Sequence, residues 1–394
     1  MTRDEILQEI LALQGDNWLL ELATGTGKSK LALELIKNHS NNKGKLLIVV
    51  PRNVLKANWQ NEIKKWWPNC KMHIEYVTYV SFHKMLGHWD FAIFDEAHHT
   101  TQRVRSALKT LVGIDHSILC SATISKNLLF ELSLLFPNLA TYKKDLRDVI
   151  NDNILPDPKV YLLPLQLEFK KPTETIYKNK KAKGTPIECG WATRWNYLKQ
   201  KEHPVIIRCT EFQYYTDLSS QIEYWKKRYL SRKSEIAKNK WLRLCGDRLK
   251  WLSDKKFQYV VSILRKVNKY RTLTFCNSIE QTEKLGKFCI NSKNPKSLEY
   301  LEYFNNGTID HITACNMVNE GMNLTNCQVG IYANLNSSEA IIKQRMGRLL
   351  RHPNPVIIIP YYKNTREEEL VKVMLEDYNP SLVTVISNEN DIKI

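Results

Sequence analysis

The sequence predicts two α/β units in tandem, each built on a parallel sheet, with a basic and mainly helical insertion interrupting the second. Three observations predict it. Residues 1–142 alternate short apolar runs with segments of helical period. The same alternation returns after residue 260. Between them, residues 170–260 are basic and hold five tryptophans. Apolar strands separated by crossovers indicate a parallel sheet covered by helices on both faces. In such sheets ligands sit beyond the carboxyl ends of the strands.

In chain order, an apolar run at residues 19–22 leads into a glycine-containing turn and then the helix-like "KLALELIKNH". "KLLIVV" is a strand followed by Pro51 and the helical "VLKANWQNEIKKWW". "IEYVTYVSFH" reads as a strand with its turn, and "WDFAIFDEAHH" as a buried strand ending in acids. "HSILCSAT" ends another strand in small hydroxyl residues, and "NLLFELSLLFP" is a helix. Residues 143–158, polar and containing "LPDP", are expected to be a linker. "KVYLLPLQLEF" opens a second unit over 159–365. The insertion has a helical period through Leu218, Ile222, Trp225 and Tyr229. "RTLTFCNS", "DHITACN", "QVGIYAN" and "PVIIIPY" are again strand-like. Residues 366–394 are expected to form a helical tail, from "EEELVKVMLEDY".

A chain of 394 residues has room for two or three domains. No stretch approaches the apolar length of a membrane span, and the amphipathic start "MTRDEILQEI" is not a signal peptide. A cytoplasmic protein is expected, in the host cytoplasm if phage-encoded, with no membrane partner. The nine cysteines include no CxxC pair and are expected to be reduced and inert. Net charge is +17, and residues 170–256 hold 22 Lys and Arg against 9 Asp and Glu. That concentration fits a polyanionic partner. No nuclease constellation is evident, so cleavage of nucleic acid is not expected.

"ATGTGKS" at 23–29 ends in the GK[ST] of the phosphate-loop pattern GxxxxGK[ST], whose first glycine position, five before Gly27, falls on Leu22. Strand, loop and helix stand in the required order. Gly25 and Gly27 permit a tight turn whose N–H groups point inward, with Thr24 and Thr26 between and beside them. The helix that follows adds its positive end. Lys28 can reach the β- and γ-phosphates, and the Ser29 hydroxyl can hold magnesium. The implied ligands are ATP and Mg2+.

Asp95 and Glu96 directly follow a buried strand, where two carboxylates need a cation. Asp95 would hold magnesium, and Glu96 would orient and deprotonate the attacking water. His98 either relays between the nucleotide site and the second unit or packs. Ser121 and Thr123 either link the magnesium site to the facing unit or form a small-residue turn. In "IIKQRMGRLLRHP", Arg348 and Arg351 fall on one helical face, near Gln344 and Gly347. A guanidinium stays charged and can neutralise a developing γ-phosphate across a closing cleft. A solvated basic helix face is the other reading. Gly321 allows close backbone approach, and Glu320 and Asn323 would line the cleft or touch a nucleic-acid backbone.

In this order the residues resemble helicase superfamily 2. "ATGTGKS" resembles motif I, "VVPRNVLKANW" motif Ia, "VTYVSFH" the motif Ib neighbourhood, "DEAH" motif II and "SAT" motif III. "LTFCNS" resembles motif IV, "VNEGMNL" motif V and "QRMGRLLR" motif VI. The resemblance spans roughly residues 6–362 apart from the insertion. It implies two RecA-like domains, an ATP site between them and a nucleic-acid strand across both. By match, Lys28 and Ser29 bind phosphate and magnesium. Asp95 and Glu96 are the magnesium ligand and the base, while Ser121 and Thr123 couple hydrolysis to movement. Gly321 and Asn323 sense nucleotide, Gln344 lies near the γ-phosphate, and Arg348 and Arg351 are arginine fingers. Gln8 lies 20 residues before Lys28, the place of an adenine-reading glutamine, but lacks its usual surroundings. "PRNVLKANWQNEIKKW" looks most like DNA-directed enzymes that include phage branch-migration helicases and repair translocases.

The expected activity is therefore an ATP-dependent DNA helicase or translocase that separates strands or remodels junctions. Its basic motor unit would be a monomer, and its partner single-stranded, forked or branched DNA. An RNA helicase, a duplex translocase that never unwinds, and a binding module with an inactive site are the alternatives. Strand contact would be mainly to phosphates. Pro51, Arg52, Thr78 and Ser278 are the expected gripping points in the two units. Lys226, Lys227, Arg228, Arg232 and Lys233 are those of the insertion. Trp191, Trp195, Trp225, Trp241 and Trp251 interleave with these, either stacking on bases or forming the insertion's core.

Overall fold

The computed structural model describes residues 1–180, 203–315, 324–335, 347, 349–376 and 378–394, with backbone alone at 176–180 and 203–207. The first lobe opens with α1 (Arg3–Leu11), started by a reciprocal capping box between Thr2 and Glu5. Ile6 and Ile10, one turn apart, form its buried face. Then come β1 (Asn17–Leu22), α2 (Lys28–His39), β2 (Lys45–Val50), α3 (Val54–Trp66), β3 (His73–Thr78) and β4 (Gly87–Asp95). They are followed by α4 (Gln102–Thr110), β5 (Val112–Ser121), α5 (Lys126–Leu135), β6 (Leu139–Lys144) and a short α6 (Leu146–Asn151).

The six strands pair in parallel in the order β3-β2-β4-β5-β1-β6. Alternate side chains feed two cores, as the period of a strand requires. Leu20, Leu46, Ile48 and Ile93 pack with α1, α2 and α3 on one face. Leu19, Leu47, Val49 and Phe94 pack with Val104, Ala107 and Leu132 of α4 and α5 on the other. Burial on both faces is why these strands read as unbroken apolar runs.

The second lobe begins with β7 (Lys159–Leu165) and leaves its sheet for the insertion. There β8 (Glu174–Lys180) pairs antiparallel with β9 (His203–Cys209), followed by α7 (Glu211–Arg232) and α8 (Glu235–Lys266). The chain returns through β10 (Thr272–Cys276), α9 (Ile279–Leu285), β11 (Cys289–Ile290), α10 (Ser297–Asn305), β12 (His311–Cys315) and β13 (Val329–Tyr332). It ends with β14 (Val356–Tyr362), α11 (Arg366–Leu375) and β15 (Val383–Val385). The second sheet is also all parallel, in the order β11-β12-β10-β13-β14-β7-β15. Strand β7 lies inside it, so the insertion interrupts the second lobe.

Three stretches differ from the sequence expectation. Residues 143–158 contain α6, whose Leu146, Val149 and Ile150 are buried, and the following Leu155 is buried too. Polar side chains on one face concealed that short apolar stripe. The insertion opens with a β-pair before its helices; Lys199 and Lys201 before the apolar 205–207 run and Arg208 after it hid the strand signal. The tail is not helical throughout, because β15 adds to the sheet edge beside β7.

The insertion is anchored at its base. Lys255 Nζ lies 2.6 Å from Glu174 and 2.7 Å from Glu211, and the Trp251 indole donates to Glu174 at 3.0 Å. Lys256, one of the basic residues of the stretch, is not at the surface. Its Nζ lies 2.6 Å from Glu367 Oε1, with both side chains fully buried.

Backbone crowding marks the core of the second lobe. A Cβ on Gly330 in β13 would lie 2.0 Å from Leu349 Cδ1, and Leu349 is itself fully buried. Gly330→Val is expected to destabilise the lobe by about 1–3 kcal/mol, the usual range for overpacking. A urea titration checks this; a midpoint equal to wild type would mean that Leu349 can move aside.

Candidate active site

The phosphate loop joins β1 to α2. Ala23 N–H donates to the Lys144 carbonyl at 3.1 Å, which ties the loop to the end of β6. The Thr26 hydroxyl donates to the Ala23 carbonyl at 2.9 Å. Gly25 and Gly27 both take positive φ, +98° and +97°, where a side chain would be strained. Gly27 caps α2 without any side-chain bond, and a Cβ there would meet nothing within 4 Å among the described residues. The first N–H groups of a helix have no intrahelical acceptor, which is what an anion site uses. Thr24 Oγ1 is buried and without a hydrogen-bond partner among the described residues. Lys28 lies against the loop's own strand, its Nζ donating to the Leu22 carbonyl at 2.9 Å.

Asp95 ends β4 beside Cys120 of β5. Burial, with Asp95 and Glu96 nearby, pushes the Cys120 thiol well above its usual range, and the positive Lys28 opposes that rise. The two acids and the phosphate-loop lysine thus face one neighbourhood. Among the described residues, donors from two segments reach Asp95. The Trp59 indole of α3 donates to Oδ2 at 2.9 Å, and the Tyr79 hydroxyl donates to its backbone carbonyl at 2.9 Å. Burial first, then Asp95 and Glu96, raise the Tyr79 phenol, so its hydroxyl stays protonated and remains a donor.

Glu96 occupies the left-handed region, φ 52° and ψ 58°, and is 5% exposed. Its Oε2 is buried without a hydrogen bond among the described residues. His98 Nδ1 stands 3.6 Å from that oxygen, beyond hydrogen-bond reach, and 3.1 Å from Ser121 Oγ. Ser121 Oγ in turn donates to the Thr123 carbonyl at 2.9 Å. The structure brings His98, Ser121 and Thr123 into one chain of contacts that begins beside Glu96.

The second lobe meets the phosphate loop directly. A Cβ on Gly347 would fall 2.6 Å from Thr24 Cβ and 2.8 Å from the Thr24 carbonyl oxygen. A Cβ on Gly25 would lie 3.3 Å from Leu155 and 3.4 Å from the Gly347 carbonyl oxygen. A cavity of about 580 Å³ opens here, lined by Gly25, Arg3, Ile154, Asp157 and Arg351 among others. Arg351 therefore lines the same cavity as Gly25 of the phosphate loop. Gln344, Arg348, Gly321, Glu320 and Asn323 lie outside the described residues. Gln8 stands exposed on α1 and its side chain makes no hydrogen bond among the described residues; Arg3 of the same helix is the one that lines the cavity. Gly347→Ala is expected to hold the lobes apart, at a cost of about 1–3 kcal/mol to the closed contact. Turnover should fall about 5- to 150-fold while the thermal midpoint hardly moves; unchanged turnover would remove the contact from the working cycle.

Among the described residues, no cluster of three or more His, Cys, Asp or Glu could hold a metal alone. A divalent ion here would rely on Ser29, Asp95 and phosphate oxygens, a sparse oxygen set that suits magnesium.

The residues expected to grip a strand follow the strand ends. Pro51 and Arg52 follow β2, and Thr78 ends β3, its hydroxyl donating to Ser81 Oγ at 3.3 Å. Ser278 follows β10, where its hydroxyl accepts from Gln281 N–H as the cap of α9. At the far end of the insertion, Lys227, Arg228, Arg232 and Lys233 are exposed and Lys226 is half-buried. The Arg228 guanidinium and Lys240 Nζ sit 5.4 and 5.2 Å over the Trp225 ring, and Trp241 stacks on Tyr229. Trp251 belongs to the base, and Trp191 and Trp195 lie outside the described residues. Sequence reasoning did not single out Trp59, Tyr79 or Arg3. Trp59 offered only the signal of an apolar position on a helix, indistinguishable from core.

The comparisons agree with this fold. The family described as "Type III restriction enzyme, res subunit" matches residues 3–85, and "Helicase conserved C-terminal domain" matches residues 255–353. No curated protein matches the chain by sequence. Among solved structures it is similar to S. cerevisiae Dbp5 bound to RNA and ADP BeF3, at TM-score 0.61 and 11% identity, covering 97% of this chain and 89% of that one. The Pyrococcus furiosus Hef helicase domain is similar at TM-score 0.50 and 15% identity, covering 94% and 96%. The ATP-dependent Type ISP restriction-modification enzyme LlaBIII bound to DNA is similar at TM-score 0.57 and 13% identity, covering 98% of this chain and 31% of that one. At such identities the likeness is one of fold. The chain has two tandem RecA-like domains, the first matching the restriction-enzyme family model and the second the helicase C-terminal one. It is an ATP-hydrolysing enzyme. No helix among the described residues is long and apolar enough to cross a membrane.

Proposed function

We propose that this enzyme is a motor that couples ATP hydrolysis to movement along DNA. The observation that carries the reading is the split site: carboxylates and phosphate loop on one lobe, with Gly347 of the other pressed on Thr24. Hydrolysis at such a site is sensitive to the spacing of the lobes. The loop amides and Lys28 bind the phosphates, with Thr24, Gly25, Thr26 and Gly27 shaping the cradle. Bound magnesium would supply charge neutralisation on those phosphates, and Ser29 and Asp95 are the side chains that would hold it. Glu96 orients the attacking water and takes its proton. Arg351, with Arg348 and Gln344, meets the γ-phosphate from the second lobe, and Gly321 and Asn323 sense the nucleotide. His98, Ser121 and Thr123 transmit the change.

Pro51, Arg52, Thr78 and Ser278 contact the strand, and the basic end of the insertion adds a second grip on phosphates. The match of the first lobe to a restriction-enzyme subunit supports duplex translocation over strand separation or branch migration. The experiment is an ATPase and unwinding panel over duplex, forked and four-way DNA, single-stranded DNA and RNA at several salt concentrations. Stimulation by duplex DNA without unwinding is expected. Unwinding of forks or junctions would move the reading to a helicase, and stimulation by RNA alone would overturn DNA as the substrate.

A further inference from the structure

The Trp59 and Tyr79 donors to Asp95 come from the two segments proposed to contact the strand. Trp59 sits on α3, which starts at Val54, two residues after Arg52. Tyr79 follows Thr78 directly, and its N–H donates to the Val50 carbonyl at 3.1 Å, next to Pro51. Trp59 is 3% exposed and Tyr79 is 7% exposed, and neither is placed to touch solvent-borne ligands. They belong to opposite cores of the first sheet, Trp59 with Leu55 and Ile63, Tyr79 with Phe82 and Phe94. Asp95 is therefore gripped from both sides of the sheet: one donor fixes a carboxylate oxygen, the other its backbone.

The geometry points to Trp59 and Tyr79 as positioning residues that transmit strand occupancy to the carboxylate of Asp95. A shift of the 51–52 or 78–81 segment on a bound strand moves α3 or the β3 turn. The indole and phenol then move with them, and Asp95 is re-aimed without any ligand touching it. Polar groups behind a metal-binding carboxylate set its orientation and basicity, and losing one commonly costs about 10- to 100-fold in metal affinity or activity. This inference rests on the motor reading above.

The test uses the full chain with Trp59→Phe, Tyr79→Phe and, as a packing control in the core of Trp59, Ile63→Val. Three quantities are read: the magnesium concentration for half-maximal ATPase, the affinity for a fluorescent ATP analogue in EDTA, and the ratio of DNA-stimulated to basal turnover. Trp59→Phe is expected to raise the magnesium requirement about 10- to 100-fold while leaving metal-free nucleotide affinity within about twofold. Tyr79→Phe is expected to cut the stimulation ratio about tenfold with a smaller effect on the basal rate. Ile63→Val should move none of the three. Wild-type magnesium dependence and stimulation in both aromatic variants would overturn the coupling while leaving the motor reading intact. The same losses in Ile63→Val would reduce it to packing. A wild-type enzyme that no nucleic acid stimulates would overturn the motor reading and the coupling together.

Discussion

Glu96→Gln is expected to lower ATP turnover by about 10²- to 10⁴-fold, the range that a positioned general base supplies. Glu96 is 5% exposed, has a left-handed backbone, and leaves Oε2 without a hydrogen bond among the described residues. A buried acceptor left unbonded costs about 1–3 kcal/mol. In the proposed motor, a water beside the bound triphosphate would complete that atom. Glutamine preserves size and one acceptor oxygen but cannot take the proton. Nucleotide affinity should therefore stay near wild type, and thermal stability should not fall. Single-turnover hydrolysis and equilibrium binding, measured side by side, separate the two effects. A turnover within tenfold of wild type would assign the base elsewhere.

Lys256→Met is expected to destabilise the second lobe by about 3–5 kcal/mol. The Lys256 ammonium is fully buried, 2.6 Å from Glu367 Oε1 and 3.5 Å from the Pro360 carbonyl. Glu367 Oε2 accepts the Tyr362 N–H at 3.0 Å. Methionine fills the space but leaves the Glu367 carboxylate in an apolar interior with its charge unmatched. The cost is that of an uncompensated buried ion, more than the net worth of the pair. Adding Glu367→Leu should restore most of the stability, because both desolvation terms vanish together. Urea unfolding of the single and double variants reads this out, with the single variant's midpoint falling by more than about 1 M. A Lys256→Met protein as stable as wild type, or a double variant no better than the single, would refute the account. The consequence reaches function as well. This pair joins α8 of the insertion to α11 and β14 of the second lobe.

Much of the fold was legible because its signals are local. Runs such as "KLLIVV" and "FAIFD" are apolar throughout because both faces of each strand are covered, and that requirement is written in consecutive residues. Gly25 and Gly27 announced their positive φ by their identity. The acids of "DEAHH" announced a strand end by following an apolar run. Other features left no local trace. Residues 146–155 read as a linker, yet their few apolar side chains pack under the phosphate loop. Lys256 entered only as one more positive charge in a basic stretch.

By itself, then, the sequence determined the alternation of strands and helices, the phosphate loop and the paired acids, since each depends on side-chain period or backbone freedom within a few residues. Only the tertiary structure decided that Trp59 would hold Asp95 across 36 positions, that Lys256 would meet Glu367 across 111, and that Gly347 would rest on Thr24. Those meetings are fixed by how whole sheets and helices pack, and packing compares surfaces whose residues lie far apart along the chain. The chemistry of each residue limited what it could bond to, while the fold selected its partner.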